Sequence, residues 1–160
     1  MLPIRTILHP TDFSDRSGSA FQFAYSLARD HSSRLVILYV RTPAVVAYGE
    51  LGAVVPDPIQ TSQDVKDRLV AAHLIEPWME VECRVAEGDA ALEIVRVAQE
   101  LPADLIVMGT HGRTGLSRLL LGSVAEVVLR KATCPVLTLK APFPAANVEP
   151  PHAAKAPVGV

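Results

Sequence analysis

The chain carries, toward its C-terminal end, the stretch Gly109-Thr-His-Gly-Arg-Thr-Gly-Leu-Ser-Arg-Leu-Leu-Leu-Gly-Ser123. It follows an apolar run, 104–108, and precedes a helix-like run, 124–131. This order predicts a strand, a glycine loop and a helix, which bring exposed backbone N–H groups and a helix N-terminus to one place. Anions bind well at such a place, so the stretch predicts a phosphate cradle and nucleotide binding. Glycines that only form a turn after a strand are the alternative.

The rest of the chain alternates between strand and helix patterns. Apolar runs without polar alternation, such as Leu35 to Val40, suit a parallel sheet that is covered on both faces. Right-handed crossovers then predict an α/β fold with an open parallel five-stranded sheet and helices on both faces. The predicted strands are 4–9, 34–40, 80–86, 105–108 and 135–140, and the predicted helices are 15–31, 61–76, one opening at 88–89, and 122–131.

Prolines predict where this regular pattern stops. Pro10 is expected to end the first strand, because proline cannot continue a central ladder, and Ser14 is expected to cap the following helix. Pro77 is expected to stop the second helix. Residues 41–60 contain three prolines and two glycines. They predict a long irregular connection of the kind that often serves as a lid or a binding loop.

Length and composition place the chain among ordinary globular proteins. Its 160 residues suffice for one domain, and 49% of them are apolar. We expect a domain over 1–140 and a disordered tail over 141–160, which holds five prolines and six alanines. The net charge of -2 gives no basic excess that would suggest nucleic acid or an anionic membrane as a partner.

Three features predict a cytoplasmic protein. No apolar run approaches the roughly 20 residues that span a bilayer, and no signal peptide is evident at the start of the sequence. The two cysteines, Cys83 and Cys134, lie far apart without CxxC spacing. We expect buried thiols in a reducing compartment, with a disulfide as the less favoured alternative.

Two unusual segments converge if the sheet has the strand order 3-2-1-4-5. In an open parallel sheet, ligands bind beyond the carboxyl ends of the strands, where the strand order reverses. The first strand ends at Pro10, Thr11 and Asp12, and the fourth ends at Met108 and Gly109. This order makes strands 1 and 4 neighbours, so we expect a crevice between these two ends.

The glycine stretch supplies groups that suit the sugar and phosphates of a nucleotide. Gly109 has no Cβ and lets the backbone approach a sugar closely. Gly112 and Gly122 are expected at positive φ, which turns N–H groups toward phosphate oxygens. Ser123 would add a hydroxyl donor. Arg113 either pairs with a phosphate or faces water.

The base and ribose are expected at the other end of the crevice. Asp12 fits there better than beside the phosphates, because like charges repel in a partly desolvated site; a helix-capping turn alone is its equal alternative. Val40, which ends the second strand, would offer apolar contact to a base. His111 is either a ligand contact or a solvated loop residue, and His9 is expected to be a satisfied polar residue rather than a catalyst.

Three common catalytic or nucleotide-binding motifs are missing. The sequence has no GxxxxGK[ST] loop, no GxGxxG after its first strand, and no Ser/His/Asp order typical of a hydrolase elbow. The remaining histidines are scattered and suggest no metal cluster. We therefore predict neither a catalytic residue nor a metal site built from protein ligands.

Three segments resemble the universal stress protein family. Gly109-x2-Gly112-x9-Gly122-Ser123 matches that family's nucleotide-binding signature, G-x2-G-x9-G-[ST]. The segments 7–14 and 134–137 resemble its first strand and turn and the approach to its last strand, and the similarity covers about residues 3–140. The resemblance implies a Rossmann-like, adenine nucleotide alpha hydrolase-like domain with strand order 3-2-1-4-5. It also implies a homodimer built through the last strand.

The resemblance further implies that the chain binds ATP with Mg²⁺ or Mn²⁺ on the phosphates. AMP, ADP and a cyclic nucleotide are alternatives, because the sequence does not count phosphates. The departures from the family pattern, at 41–60, Pro77 and the tail, affect the cover over the base more than the phosphate site. The implied contacts are Pro10, Thr11 and Asp12 near base and ribose, Val40 near adenine, Met108, Gly109, His111, Gly112 and Arg113 along ribose and phosphates, and Gly122, Ser123 and Val124 at the phosphates.

The functional prediction is an ATP-binding regulatory module of the stress response, cytoplasmic and dimeric, with a protein partner that the sequence does not identify. ATP is expected to order residues 110–121 and so alter a surface that a partner contacts. A slow ATPase is one alternative, although no general base is evident in the sequence. A dimeric interaction protein without a ligand is the other.

Overall fold

The computed structural model describes residues 3–42, 44–48, 51–55, 57–75, 81–110 and 122–140, with the backbone alone at 44–48 and 51–55. Along the chain these residues form β1 (Thr6–Thr11), α1 (Asp15–His31), β2 (Arg34–Arg41), β3 (Ala44–Tyr48), β4 (Leu51–Val55), α2 (Ser62–Ala71), β5 (Glu82–Glu87), α3 (Ala90–Glu100), β6 (Leu105–Gly109), α4 (Ser123–Lys131) and β7 (Val136–Leu139).

Five of the strands form one parallel sheet in the order β5-β2-β1-β6-β7. Because β3 and β4 pair with each other in a sheet of their own, this is the predicted order 3-2-1-4-5. The central strand β1 is paired with β2 over its whole length, whereas its pairing with β6 covers only Ile7 and Leu8. The regular ladder between β1 and β6 therefore ends before the carboxyl end of either strand.

Helices cover both faces of the sheet, because alternate residues of a strand point to opposite faces. Ile7 and Ile37 pack in a buried cluster with Phe21 of α1. Leu8 and Ile106 pack in a second cluster on the other face, with residues of α3 and α4. The three-layer α/β architecture predicted from the sequence is confirmed.

The helices begin at the edge of the sheet where the strands end, and three of them have a side-chain cap. The hydroxyl of Ser14 accepts an N–H of the first turn of α1, as predicted. Thr61 forms a capping box with Asp64 at the start of α2, and Asp89 caps α3. In contrast, α4 begins at Gly122, which has no side chain to cap it. The backbone N–H groups of its first turn therefore need another partner than their cap residue.

The prediction that Pro10 ends the first strand is wrong. β1 runs through Pro10 to Thr11, and these two residues pair with Leu38 and Tyr39 of β2. Pro10 is compatible with pairing to β2 because the position of its missing N–H faces β6, and the ladder between β1 and β6 ends at Leu8.

The prediction of an irregular connection over 41–60 is also wrong. β3 and β4 form an antiparallel hairpin that is paired along all five residues of each strand. The valine-rich sequence of both strands favours extended backbone, and in the sequence Pro43 and Pro56 flank the hairpin rather than interrupt it. Counting prolines and glycines over the whole segment concealed this pattern.

The remaining helices and strands agree with the predictions to within a few residues, except that α2 ends early, at Ala71. Pro77 and the predicted tail, 141–160, lie outside the described residues. Cys83 and Cys134 are free, as predicted, but half-buried rather than buried. Partial burial raises the pKa of both thiols, that of Cys83 to about 11. None of the described helices combines the length and apolarity that crossing a membrane requires.

Candidate functional site

A cavity of about 380 Å³ lies at the carboxyl edge of the sheet and is lined by the ends of β1 and β6 together with residues of α1, α3 and α4. We call it the carboxyl-edge cavity. It brings together most of the residues predicted from the sequence, which lie far apart along the chain. The predicted residues that line it are Pro10, Thr11, Asp12, Met108, Gly109, Gly122, Ser123 and Val124.

The β1 wall of the carboxyl-edge cavity ends in a tight hydrogen-bonded turn. Oδ1 of Asp12 accepts hydrogen bonds from the backbone N–H of Ser14 at 3.0 Å and from its hydroxyl at 2.7 Å. Phe13 has a φ of 59°, and its N–H donates to Oγ1 of Thr11 at 3.2 Å. Asp12 thus supports the residue that caps α1, as one of its two predicted roles required. Both bonds fall on Oδ1, so this role leaves the second carboxylate oxygen for a ligand.

The opposite wall is built where the glycine stretch rejoins the fold. The N–H of Gly122 donates to the carbonyl of Thr110 at 2.7 Å, and the N–H of Thr110 donates to the carbonyl of Leu139 at 3.0 Å. These bonds hold Thr110 and Gly122 together beside β7. They also set the start of α4 against the carboxyl-edge cavity, where Ser123 lies in its first turn.

The conformation of Gly122 corrects another prediction. Its φ is -61° and its ψ is 147°, which is extended backbone that any residue adopts, and not the positive φ expected from the sequence. Gly109 lies within β6, as the last residue of that strand. The backbone at these two positions therefore does not itself require glycine. Gly112, His111 and Arg113 lie outside the described residues.

The predicted contact at Val40 is not part of the wall. Val40 lies one residue before the end of β2, pairs with Ala86 and packs against the cluster between the sheet and α3. Sequence reasoning missed six lining residues, most of which stand at helix starts or just past strand ends. The rule that helices of such a sheet begin at its carboxyl edge would have found several of them. These six are Ser17, Thr42, Ala90, Ile94, Thr110 and Ala125.

The charge of the described wall is negative. Asp12 is the one charged side chain among the described lining residues, and the others are apolar residues, glycines and hydroxyl-bearing residues. Positive potential in this part of the structure comes from the uncapped N-terminus of α4, whose macrodipole favours an anion. The carboxyl-edge cavity therefore has an acidic end at β1 and an anion-attracting end at α4.

His9 lies beside this wall and is fully buried. Its Nδ1 donates a hydrogen bond to the carbonyl of Val107 at 2.9 Å, and its ring contacts Phe21 edge-on with centroids 5.7 Å apart. Burial lowers the pKa of His9 to about 4, although the bond to Val107 and the charge of Asp12 act in the opposite direction. The imidazole is neutral at pH 7. Its Nδ1 has the partner that the prediction of a satisfied polar residue required, whereas Nε2 has none among the described residues.

A second, more open hollow of about 550 Å³ lies at the opposite edge of the sheet, between the end of α1 and the starts of β2 and β5. Its charged groups include the ion pair of Arg34 and Glu82, which are 2.5 Å apart and satisfy each other. It also borders Val81, the first described residue after a gap. The hollow is larger, but it has neither the uncapped helix start nor the reversal of strand order that favours the carboxyl-edge cavity.

Comparison with known proteins identifies the family. The model of the universal stress protein family matches residues 3–140. The chain belongs to the universal stress protein family. A universal stress protein of Methanocaldococcus jannaschii is 37% identical over 141 residues, which cover 86% of this chain and 83% of that protein.

Solved universal stress proteins have the same fold. The structure of UspA from Lactobacillus plantarum superposes with a TM-score of 0.63 at 24% identity and covers 87% of this chain and 99% of that one. A universal stress protein solved in complex with cAMP superposes with a TM-score of 0.60 at 26% identity and covers 87% of this chain and 98% of that one.

Proposed function

We propose that the chain binds an adenine nucleotide, with ATP as the expected ligand, in the carboxyl-edge cavity and acts as a regulatory module of the stress response. The observation that carries the proposal is the uncapped start of α4, which faces a cavity at the point where the strand order reverses. A helix N-terminus in that position is a suitable phosphate site. The relative that is solved with cAMP supports an adenine nucleotide as the class of ligand.

The charges of the carboxyl-edge cavity favour one orientation of the nucleotide. The phosphates would lie at α4, on the backbone N–H groups and the hydroxyl of Ser123, while Asp12 would accept a hydrogen bond from the ribose or the adenine amino group. The reverse orientation would put phosphate charge beside the Asp12 carboxylate. Ile94 and Met108 supply apolar wall for the base in place of the expected Val40.

Cationic groups for the phosphates are not part of the described wall. We propose that Arg113 and His111 contribute contacts, as the family signature implies, and that Mg²⁺ or Mn²⁺ binds through phosphate oxygens. The described residues contain no group of three or more His, Cys, Asp or Glu side chains that could hold a metal ion. Phosphate oxygens are hard ligands of the kind that Mg²⁺ uses in most nucleotide sites.

Substitution of Gly122 tests the phosphate site. Because its backbone is extended, Gly122→Ala adds one methyl group without backbone strain. If phosphate oxygens approach this backbone closely, ATP affinity measured by calorimetry should fall at least about tenfold, or about 1.4 kcal/mol. Gly122→Val should weaken binding further. The titrations should include AMP and cAMP to count the phosphates that contribute.

Gly18→Ala is the matched control. Gly18 lies inside α1, where an added Cβ would meet only Cδ2 of Leu74 at 3.7 Å, an ordinary contact. The substitution should stabilise the fold by roughly 0.5–1 kcal/mol, as alanine does in a helix interior, and leave ATP affinity unchanged. Equal ATP affinity in wild type and Gly122→Val, or no binding by wild type, would overturn the proposal.

We further propose that the protein is a cytoplasmic homodimer paired through β7. The two edges of the sheet differ in charge. At β5, Glu82 and Arg84 are paired with each other and with Arg34 and Glu100, which discourages the addition of another strand. At β7 the strand is Val-Leu-Thr-Leu, with no charge along the edge. A strand from a second copy therefore fits β7 better than β5.

Nucleotide binding is proposed to act on a partner through residues 110–121. Thr110, which begins this segment, and Gly122, which follows it in the sequence, are joined by a hydrogen bond and lie beside β7. A nucleotide that orders the segment would therefore change the surface next to the proposed dimer edge. This arrangement links ligand and partner without any catalytic step.

A further inference from the structure

β1 and β6 share a short ladder that ends just before the carboxyl-edge cavity begins. The last pair joins Leu8 to Ile106, whereas β1 stays paired with β2 for three more residues. Beyond Leu8 the ends of β1 and β6 are therefore free of regular pairing with each other. Something other than the ladder must set the separation of these two ends.

Pro10 accounts for the early end of the ladder. The N–H of Ile106 donates to Pro135 before β7, so the backbone groups of the next residue, Val107, face the other way, toward β1. Continuing the register by one residue places Val107 opposite His9. In a parallel ladder its carbonyl would then accept from the N–H of the following residue, which is Pro10 and has no N–H.

The side chain of His9 supplies the missing donor. Its Nδ1 lies 2.9 Å from the Val107 carbonyl oxygen. A carbonyl can only accept, so this bond fixes the neutral tautomer with the proton on Nδ1. The ring is fully buried and is held edge-on against Phe21.

We propose that His9 is a positioning residue, which joins the ends of β1 and β6 across Pro10 and so sets the width of the nucleotide site. The strand link stands by itself, and its effect on a ligand rests on the proposed function. Val107 is followed by Met108, Gly109 and Thr110 in the wall. The carbonyl of Thr110 in turn accepts the N–H that starts α4. A shift of Val107 would therefore displace Thr110, three residues later, and with it the start of α4.

A purely space-filling role is the competing explanation. Nε2 of His9 is buried and has no hydrogen-bond partner among the described residues, and an unsatisfied buried nitrogen lowers stability. An apolar side chain would fill the same space without that cost. The bond from Nδ1 is the feature that distinguishes His9 from such a side chain.

Three substitutions separate the two explanations. In His9→Asn the side-chain amide can place an N–H near the position of Nδ1. In His9→Gln the amide lies nearer the position of Nε2. His9→Val has no side-chain donor. We expect His9→Asn to bind ATP within about threefold of wild type. His9→Gln and His9→Val should bind ATP at least tenfold more weakly than wild type. Each protein is measured at a urea concentration and a temperature at which it is fully folded.

Amide hydrogen exchange gives a second measurement that needs no ligand. The N–H groups of Thr110 and Gly122 report on the end of β6 and the start of α4. Those of Gly18 and Ala132 report on the first turn of α1 and the last turn of α4. His9→Val and His9→Gln should accelerate exchange at Thr110 and Gly122 at least tenfold relative to Gly18 and Ala132. His9→Asn should not.

These measurements distinguish failure of the inference from failure of the proposed function. If wild type binds no nucleotide, the proposed function fails, and the exchange pattern alone decides the role of His9. Exchange that rises uniformly or not at all in His9→Val and His9→Gln overturns the inference. If His9→Val does not fold, the comparison of His9→Asn with His9→Gln decides, and equal behaviour of these two overturns it.

Discussion

At the scale of single residues, the site depends on groups whose roles come from their neighbours. Asp12 is an isolated carboxylate in the sequence, yet in the fold its Oδ1 supports the cap of α1 while its position lies in the cavity wall. His9 is an ordinary strand residue by pattern, yet it takes the place of a backbone donor that Pro10 lacks. His9 thereby joins two strands that lie far apart in the sequence, whereas Asp12 links the end of β1 to the cap of α1 two residues later.

The buried imidazole makes stability depend on pH. The pKa of His9 is about 4 in the fold against 6.5 for an ordinary histidine, mainly through burial. Between these values the unfolded chain binds a proton that the folded chain does not, so stability is complete above pH 6.5 and falls as pH drops toward 4. The loss is roughly 1.4 kcal/mol per pH unit, about 3 kcal/mol in total.

Urea unfolding of wild type and His9→Asn between pH 7.5 and 4 measures this contribution. Between pH 7.5 and 4 the free energy of unfolding of His9→Asn should fall by about 3 kcal/mol less than that of wild type. Asp64 and Asp104 also have lowered pKa values, through backbone hydrogen bonds that their carboxylates accept, but they affect both proteins alike and cancel in the difference. Parallel curves would show that His9 has the same pKa in the folded and the unfolded protein.

At the scale of elements, the hairpin of β3 and β4 stands apart from the main sheet in its strand pairing. Its strands form a separate two-stranded sheet, and such a hairpin has little stability of its own. It leaves the main sheet at the carboxyl edge, directly after Thr42, which lines the carboxyl-edge cavity. After it, Asp57 accepts a hydrogen bond from the hydroxyl of Tyr39 at 2.8 Å. The end of the hairpin at Thr42 therefore lies beside the proposed site, and the end at Asp57 is tied to β2 through Tyr39.

Replacement of residues 44–55 by a short glycine-serine linker tests whether the hairpin serves the nucleotide. We expect ATP affinity to fall about tenfold or more, because the hairpin would cover the ligand and exclude water. Thermal stability should change by only a few degrees, since the hairpin pairs with no strand of the main sheet. Unchanged ATP affinity in a folded deletion variant would assign the hairpin to another role.

At the scale of the whole molecule, the sheet has one edge that resists pairing and one that permits it. The carbonyls of Pro135 and Leu139 accept N–H groups from the β6 side. Because backbone groups alternate along a strand, those of Val136 and Thr138 face outward. They form the unpaired row that a second copy of the chain would use.

Thr138→Pro removes one outward N–H and leaves the inward bonds of β7 intact. Light scattering at micromolar concentration should give a dimer for wild type and a monomer for Thr138→Pro, with melting temperatures within a few degrees. Leu137→Pro is the matched control, because it removes an N–H that faces β6 and should destabilise the fold itself. A dimer that survives Thr138→Pro would place the contact elsewhere, and a monomeric wild type would end the proposal.

Much of the fold follows from local patterns that are visible along the chain. The five main strands and four helices are predicted by apolar runs of the right length and period, because each such segment must bury its apolar side chains against another. Ser14 is predicted as a cap because a hydroxyl at that place satisfies a free N–H. The hairpin is not predicted, because the prolines that flank it and the glycines near its turn make residues 41–60 as a whole resemble an irregular loop.

The sequence by itself determined the order of the five main strands and the four helices, the family, and the two segments that meet at the carboxyl edge. Each of these rests on interactions between residues close in the chain, or on a signature of fixed spacing. Only the tertiary structure decided that β1 continues through Pro10, that Gly122 is extended and that Val40 lies outside the wall. Those features depend on which strands pair and over how many residues. The extent of pairing is set by contacts between segments about a hundred residues apart in the sequence, such as His9 with Val107.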